Sequence, residues 1–332
     1  MWHKIYKGKG RFVVIPDHRL EVKITDITNE TATIKRFTFE GLDNKALPAF
    51  SPGSHIILYL KGRGGEMERR YSLIGSPDST DNYQIAVKLH EKSSGGSIYL
   101  HSKAQIGDNL QISFPKNYFP LSFRARHHLL IAAGIGITPF LSMMRELKDQ
   151  GASFELHYSS KTKEDCAFYS YLSKEYRQHA HFYFTKHENR IDTNILVKQF
   201  IGTHIYLCGP EGFTSSFSCA ATSIGYPSAS IHYEYFSPPN IHKPLPFILE
   251  LTNGRFLSVP EEKSTLEVLL EAGYPIPHSC KVGRCGTCEL SILEGEAEHY
   301  DSFLSTKQKE SQACFLPCVS RSKTDTLKVE YR

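Results

Sequence analysis

The sequence predicts a multidomain protein with an antiparallel β-barrel, an α/β domain built on a parallel sheet, and a small α+β domain. Six short segments rich in β-branched and aromatic residues, separated by Gly, Pro, Asn and Asp, predict the barrel. Apolar strands that alternate with helical segments predict the parallel sheet. A proline-rich stretch then precedes a region with five of the eight cysteines. The predicted boundaries are 1–19 for an N-terminal extension, 20–124 for the barrel, 125–236 for the α/β domain, 237–246 for a linker and 247–332 for the last domain.

Each element is predicted from a local pattern. The barrel strands are expected at 20–28, 31–39, 54–60, 69–74, 83–89 and 109–114, with one helix at 97–104 after the Gly-rich SSGGS. The α/β domain is expected to have strands at 128–132, 154–159, 181–185, 204–208 and 231–236, with helices at 140–150, at 164–175 and from 211. The last domain is expected to have strands at 247–251, 255–259, 287–293 and 327–331 and a helix at 265–272.

Composition excludes several classes of function. The net charge of +4, with no long Lys/Arg run, argues against nucleic-acid binding. No apolar run approaches membrane-span length and no signal peptide is visible, so we expect a cytoplasmic protein without a membrane partner. Residues 247–332 carry ten Lys and Arg against thirteen Asp and Glu, whereas residues 1–246 have a net charge of +7. A basic body suits phosphate-bearing cofactors, and an acidic domain suits docking to a protein partner.

The cysteines of the last domain carry the most specific signal. They follow the spacing C-x4-C-x2-C with a fourth cysteine after 29 further residues, which is the spacing of plant-type [2Fe–2S] ferredoxins. Gly283 and Gly286 can supply the positive φ angles that a loop around a cluster requires, and Ser279, Arg284 and Thr287 are candidate donors to it. The predicted iron ligands are Cys280, Cys285, Cys288 and Cys318.

The alternative for these cysteines is a structural zinc site. Zinc ribbons favour two C-x2-C pairs, and this sequence has one, so we predict the cluster. The additional thiol of Cys314 lies either beside the cluster or in the domain core, and we favour the core.

Three further motifs lie upstream. An R-x-Y-S pattern occupies residues 69–72, the loop AAGIGITP occupies 132–139 between a predicted strand and a helix, and CGP follows a strand at 208–210. Glycines before a helix let the backbone approach a phosphate, and Pro139 suits the first helical turn.

Together these motifs carry a family resemblance from about residue 20 to the end. Residues 247–332 resemble a plant-type ferredoxin of the β-grasp fold, and the upstream domains resemble the flavin and NAD domains of the ferredoxin–NADP reductase superfamily. This domain order resembles the phthalate dioxygenase reductase-like family, whose members deliver electrons to Rieske-type oxygenases.

The resemblance implies a flavin site in the barrel. A guanidinium would pair with the flavin phosphate, an aromatic ring would pack on the isoalloxazine, and a serine hydroxyl would lie near N5. The start of the helix would hold the phosphate, and the strand at 84–88 would contact the flavin through its backbone. The residues implied are Arg69, Tyr71, Ser72, Val87, Lys88, Gly95, Gly96 and Ser97. Because no separate adenine-binding segment is visible, FMN is expected rather than FAD.

The resemblance also implies a nicotinamide site. The residues implied are Gly134, Gly136 and Thr138 in the first loop, Cys208, Gly209 and Pro210 in the second, and Glu234 and Phe236 near the flavin. Ser160 and Lys161 would meet the adenosine ribose, where the mixed charge of SSKTKED leaves the coenzyme open. NADH is expected rather than NADPH from the resemblance. The hydride-transfer set would be Ser72, Thr138, Cys208 and Glu234.

The implied function is a monomeric reductase that moves electrons from NADH through FMN and the cluster to a terminal Rieske oxygenase. The chain is not itself that oxygenase, because the C-x-H and C-x2-H pairs of a Rieske centre do not occur in it. Two alternatives stay open: a reductase for a diiron hydroxylase or another acceptor, and a non-catalytic flavin and iron–sulfur redox module.

Overall fold

The computed structural model describes residues 2–7, 11–16, 19–62, 65–90, 95–241 and 243–330. The chain forms two compact units, one of residues His18–Tyr235 and one of Met1–Asp17 with Phe236–Arg332. None of the helices in the described residues has the length and apolar character needed to cross a bilayer. Of the predicted N-terminal extension, residues 1, 8–10, 17 and 18 lie outside the described residues. The rest contains an antiparallel hairpin of β1 (Trp2–Lys7) and β2 (Arg11–Pro16).

The barrel is a six-stranded antiparallel sheet in the order β6-β5-β8-β3-β4-β7. An isolated bridge between Leu73 and Ile85 links the chain just after β6 to β7, so the two edges of the sheet meet and the sheet curls. Apolar side chains of alternate positions fill its interior, as the period-2 pattern predicts. Its elements are β3 (Arg19–Asn29), β4 (Ile34–Gly41), β5 (His55–Gly62), β6 (Gly65–Ser72), β7 (Asn82–Lys88), α1 (Gly96–Ser102) and β8 (Asn109–Ser113).

The α/β layer is a five-stranded parallel sheet in the order β11-β10-β9-β12-β13. The chain runs from β9 outward in one direction and then returns to add β12 on the other side. The strand order therefore reverses between β9 and β12, the position where open α/β sheets bind ligands. The elements are β9 (His127–Ala133), α2 (Thr138–Asp149), β10 (Phe154–Ser160), α3 (Tyr169–Glu175), β11 (Ala180–Phe184), β12 (Thr203–Cys208), α4 (Glu211–Ser223) and β13 (Ile231–Glu234).

The helix predicted at 164–175 begins only at Tyr169. The preceding residues form turns instead, with the Cys166 amide donating to the Lys163 carbonyl. Phe168 has a φ of 61°, a left-handed conformation that cannot continue into a right-handed helix.

The last domain has the mixed sheet order β15-β14-β20-β16-β18, in which β14 and β20 are parallel and the other pairs antiparallel. A capping box of Ser264 and Glu267 starts α5, and a second one of Ser305 and Gln308 starts α6, a helix that the sequence analysis did not predict. The elements are β14 (Phe247–Leu251), β15 (Phe256–Val259), α5 (Thr265–Glu271), β16 (Leu290–Glu294), β17 (Ala297–Glu298), α6 (Thr306–Ser311), β18 (Cys314–Phe315), β19 (Arg321–Ser322) and β20 (Thr326–Glu330).

The buried guanidinium of Arg321 joins backbone segments of this domain through three hydrogen bonds. It donates to the carbonyl oxygens of Lys263 at 2.9 Å, Leu245 at 2.8 Å and Pro260 at 3.0 Å. Leu245 belongs to the predicted linker, so the end of that segment is tied to the last domain. The domain boundaries at 124/125 and 236/237 stay predictions.

Candidate functional site

The four predicted cluster cysteines lie on and beside one tight loop. Lys281, Gly283 and Gly286 all have positive φ, of 55°, 73° and 70°. At position 286 a Cβ would lie 2.8 Å from Cε2 of Phe303 and nearer still to two other carbons of that ring. Both the backbone conformation and the close ring contact therefore require glycine at this position.

The cysteine sulfurs are arranged as two interacting pairs, Cys280 with Cys285 and Cys288 with Cys318. The amide of Cys280 donates to the Cys285 sulfur at 3.4 Å, and the amide of Arg284 donates to the Cys280 sulfur at 3.3 Å. The Cys280 thiol, helped by Thr287, lowers the pKa of Cys285 to about 5. Hydrogen bonding with Cys318 likewise lowers the pKa of Cys288. Each pair thus favours a thiolate, the form that binds metal.

This donor set fits a two-iron cluster better than a single zinc ion. A tetrahedral zinc site would bring all four sulfurs around one centre. Among the described residues, however, no three of these four sulfurs lie within 4.8 Å of one another. Two pairs of thiols, with backbone amides directed at sulfur, match the need of each iron for two thiolates. Assignment of the four cysteines as ligands stays a prediction.

A turn at residues 301–304 supports the cluster loop, and the sequence analysis missed it. The buried carboxylate of Asp301 accepts from the amides of Phe303 at 3.1 Å and Leu304 at 2.8 Å. The amide of Ser302 donates to the carbonyl of Gly283 at 3.0 Å. The turn therefore holds Phe303 against the loop. An Asp that can accept from the backbone amide two residues later is a local pattern visible in the sequence. The contact of this turn with the distant cluster loop is not.

The other polar loop residues contribute unequally. Thr287 interacts with Cys285, Arg284 contributes its backbone amide, and Ser279 is buried beside Cys280. Cys314 is half-buried on β18 opposite Ser291 and lies outside the buried apolar core, so the prediction that it lies in the core is wrong.

In the barrel, the structure brings Arg69 close to the two glycines at the start of α1. The Arg69 side chain lies so close to Gly96 that a Cβ there would be 2.5 Å from Nε. Gly95, just before the helix, has a φ of 111°. The guanidinium is held by the Glu68 carbonyl at 2.8 Å. A cation and the start of a helix thus meet, an arrangement suited to an anion such as a flavin phosphate.

The remaining predicted flavin residues lie on β6, β7 and α1. Ser72 is buried, and burial raises the pKa of Tyr71 to about 12. The Ser97 hydroxyl accepts from the His90 amide at 3.2 Å. The Val87 carbonyl lies 2.9 Å from Nε2 of His101, a contact the sequence analysis missed. Lys88 is the last residue of β7 and is half-buried.

The two predicted nicotinamide loops lie in direct contact at the reversal point of the parallel sheet. A Cβ at Gly136 would be 2.5 Å from the carbonyl carbon of Cys208 and 2.8 Å from the nitrogen of Gly209. Gly134 has a φ of 56°, and Pro210 precedes α4. Parallel pairing sets Cys208 between Ala132 and Glu234. Predicted positions of both loops and of β13 therefore meet at the carboxyl ends of adjacent strands.

Thr138 and Phe236 differ in their surroundings. Thr138 is buried at the first residue of α2, where its hydroxyl donates to the Ile135 carbonyl at 3.0 Å. Phe236 is 46% exposed and belongs to the other compact unit. Its role beside the flavin stays a prediction.

The predicted ribose segment forms a closed turn. The Ser160 hydroxyl is buried and donates to the Thr162 carbonyl at 2.7 Å, while Lys161 is exposed. Nearby, the lining of a cavity of about 690 Å³ between the barrel and the α/β layer includes Arg145 and Lys163, two cations outside the predicted site residues. Lys163 belongs to the KTKED run, so composition alone could have indicated it.

Comparisons with known proteins agree with this architecture. Residues 21–120 match the family model described as an oxidoreductase FAD-binding domain. Residues 114–231 match the N-terminal domain of dimethylamine monooxygenase subunit DmmA-like proteins, and residues 250–323 match the 2Fe-2S iron-sulfur cluster binding domain. The chain is 38% identical to the carnitine monooxygenase reductase subunit of Escherichia coli (strain K12), over 91% of this chain and 95% of that protein.

Two further similarities are informative. The chain is 39% identical to the heme-dependent oxidative N-demethylase beta subunit of Ectopseudomonas mendocina, over 91% of this chain and 96% of that protein. It is also 31% identical to the solved structure of phthalate dioxygenase reductase, with a TM-score of 0.75, over 95% of this chain and 98% of that one.

The chain belongs to the phthalate dioxygenase reductase-like family. Members of this family are oxidoreductases, and the predicted multidomain fold, flavin domain and [2Fe–2S] domain are confirmed for this chain. The similarity to phthalate dioxygenase reductase extends over nearly the full length of both chains, so it includes all three predicted domains.

Proposed function

We propose that this chain is the reductase component of a Rieske-type oxygenase and moves electrons from NADH through FMN and a [2Fe–2S] cluster to that oxygenase. The observation that carries the proposal is the presence, in one chain, of the packed Gly136–Cys208 loop pair and the two pairs of cluster thiols. A flavin accepts a hydride and releases single electrons, which is the conversion that such a pair of sites requires.

The residues of the chain supply binding and orientation. Arg69 and the Gly95–Gly96 turn would hold the flavin phosphate, and Ser72 would present its hydroxyl beside N5. The tight contact of Gly136 with the Cys208 peptide would keep the nicotinamide and the flavin at a fixed separation. Correct orientation of two reactants is a large part of the rate enhancement in such a step.

The choice of FMN over FAD and of NADH over NADPH rests on the family resemblance. The flavin test is mass analysis of flavin released by acid from the purified holoprotein, where FMN is expected and FAD would contradict the proposal. For the coenzyme, kcat/KM should favour NADH modestly. Lys161→Ala should reduce NADPH use further, because Lys161 is the exposed cation beside the ribose turn. A wild-type preference for NADPH would contradict the choice.

A haem-containing acceptor is the second candidate. The observation that favours it is the 39% identity to the beta subunit of a heme-dependent oxidative N-demethylase, close to the 38% identity to the carnitine monooxygenase reductase subunit. The two candidates share every step up to the cluster and differ only in the protein that accepts its electrons.

The deciding experiment is to mix this reductase and NADH anaerobically with a purified Rieske-type oxygenase and, separately, with a purified haem-dependent N-demethylase. A Rieske-type spectrum that bleaches is the expected result. Reduction of a haem Soret band instead would favour the second candidate. We also propose that the protein acts in the cytoplasm as a monomer, where all eight of its cysteines would remain thiols before cluster assembly.

A further inference from the structure

Three histidine side chains of the α/β layer converge on one carboxylate, that of Glu155. His157 Nε2 lies 3.4 Å from Glu155 Oε1, His127 Nε2 lies 3.9 Å from the same oxygen, and His181 Nε2 lies 4.0 Å from Glu155 Oε2. The parallel register explains the convergence. His157 and His181 are direct neighbours on β10 and β11, and Glu155 is two residues from His157 on the same face of the sheet.

Two of these imidazoles are nine-tenths buried and are held in the same way. Nδ1 of His157 lies 2.8 Å from the Tyr183 hydroxyl, and Nδ1 of His127 lies 2.8 Å from the Ser153 hydroxyl. Within the described residues, Nε2 of each ring is buried and has no hydrogen-bond partner. When each hydroxyl accepts from Nδ1–H, the Nε2 lone pair of each ring faces the Glu155 carboxylate.

In that tautomer the arrangement requires a cation between the groups. Imidazole lone pairs and a carboxylate repel one another in a buried setting unless a proton or a metal ion lies between them. Metal-binding histidines regularly donate their other ring N–H to an oxygen acceptor, which fixes the tautomer and the ring orientation. Gln199 further orients the carboxylate, with Nε2 donating to Glu155 Oε1 at 2.6 Å.

We propose that Glu155, His157 and His181, whose ligand atoms all lie within 4.8 Å of one another, bind one divalent transition-metal ion of the zinc class. Zinc binds imidazole nitrogen and carboxylate oxygen at about 2.0–2.2 Å, so its ligand atoms lie roughly 3.3 Å apart. The Glu155–His157 distance already has that value, and the half-exposed His181 ring needs only a small rotation to reach it.

The site is structural rather than part of the hydride-transfer centre. Glu155 is the second residue of β10, so it lies roughly 16 Å along the strand from Ser160, where the carboxyl ends of the strands meet the nicotinamide loops. A bound ion would link β10 and β11 and so stabilise the edge of the α/β layer.

The test is the zinc content of the holoprotein, with flavin and cluster present, after loading with Zn²⁺ and exhaustive dialysis. Elemental analysis should find about one zinc per chain besides the cluster iron. Glu155→Gln and His181→Ala should lose the zinc and keep the iron, and Tyr183→Phe should weaken zinc binding by about 10- to 100-fold. His187→Ala, at an exposed histidine outside the cluster, is the matched control and should retain the zinc.

A melting experiment gives an independent readout. Zn²⁺ should raise the melting temperature of the wild type and of His187→Ala but not that of His181→Ala, because a ligand stabilises only the state that binds it. The proposal is overturned if the wild type retains no zinc or if Glu155→Gln and His181→Ala retain as much as the wild type. It is also overturned if zinc appears only with an equal loss of iron, which would assign it to the cysteine loop.

Discussion

Gly136 lies against the peptide that joins Cys208 to Gly209, and the space between them is too small for any side chain at position 136. The two residues are 72 positions apart in the chain, and they meet because β9 and β12 are adjacent parallel strands. This contact brings the two predicted nicotinamide loops into one site.

Gly136→Ala should therefore slow reduction of the flavin by NADH by about 10- to 100-fold, because a displacement of about 1 Å at a reacting pair has costs of that size. Stopped-flow absorbance of the flavin is the measurement. Flavin content and the cluster spectrum should stay as in the wild type. Gly212→Ala is the matched control, since a Cβ there meets no atom within 4 Å. Equal rates of flavin reduction in both variants would show that the Gly136–Cys208 contact does not position the nicotinamide.

Arg69→Gln should weaken flavin binding by about 10- to 100-fold, because loss of a charge-assisted bond to phosphate costs about 1.5–3 kcal/mol. Fluorescence titration of the flavin-free protein measures the dissociation constant. The neighbouring Arg70→Gln removes a cation of the same strand whose side chain lies near Glu68 instead, and it should bind flavin normally. If both variants bind alike, the phosphate is held elsewhere.

Gly286→Ala should lose most of the iron–sulfur cluster, because its Cβ would collide with the ring of Phe303. Iron and sulfide analysis is the measurement. Gly254→Ala has the same left-handed strain in open space and should keep its cluster. Adding Phe303→Ala to Gly286→Ala should restore part of the cluster, and no recovery would show that strain alone decides the outcome.

His55 makes the stability of the barrel depend on pH. Burial, together with Arg70 and Lys116, lowers the pKa of His55 to about 4. Between pH 6.5 and 4 the unfolded chain binds a proton there that the folded chain does not, so the free energy of unfolding falls as the pH falls through this window. At pH 7 the stability is fully present.

His55→Gln should remove this fall in the free energy of unfolding. It amounts to up to about 3 kcal/mol for a pKa lowered by roughly 2.5. Urea unfolding at several pH values, followed by flavin fluorescence, gives the difference from wild type. His187→Gln, at an exposed position, serves as the control. Parallel pH profiles for wild type and His55→Gln would show that His55 titrates normally.

Much of the fold could be predicted because its signals are local. The barrel strands follow period-2 burial, and α5 begins at a Ser-x-x-Glu capping box. The short helix α6 was not predicted because its six residues show too little hydrophobic periodicity, although its Ser305–Gln308 capping box was present. The left-handed Phe168 that delays α3 has no clear signal in the sequence, because it is a bulky residue in an uncommon conformation.

The motifs of the candidate site could be predicted, but the residues that pack against those motifs could not. Cysteine spacing and the glycine loops are local patterns, whereas the partners that hold them are distant in sequence. The contacts of Phe303 with Gly286 and of His101 with Val87 depend on how separate elements pack. The convergence of His127, His157 and His181 on Glu155 likewise depends on strand order, which the sequence does not state.

The central claim is that electrons pass from NADH to the flavin and then singly to the cluster. Cys285→Ser tests it most directly, with Cys219→Ser at an exposed cysteine as the control. We expect Cys285→Ser to lose the cluster, to keep flavin reduction by NADH and the reduction of a two-electron dye such as dichlorophenolindophenol, and to lose most cytochrome c reduction. Cytochrome c reduction at the wild-type rate in a variant proven to lack the cluster would contradict the account.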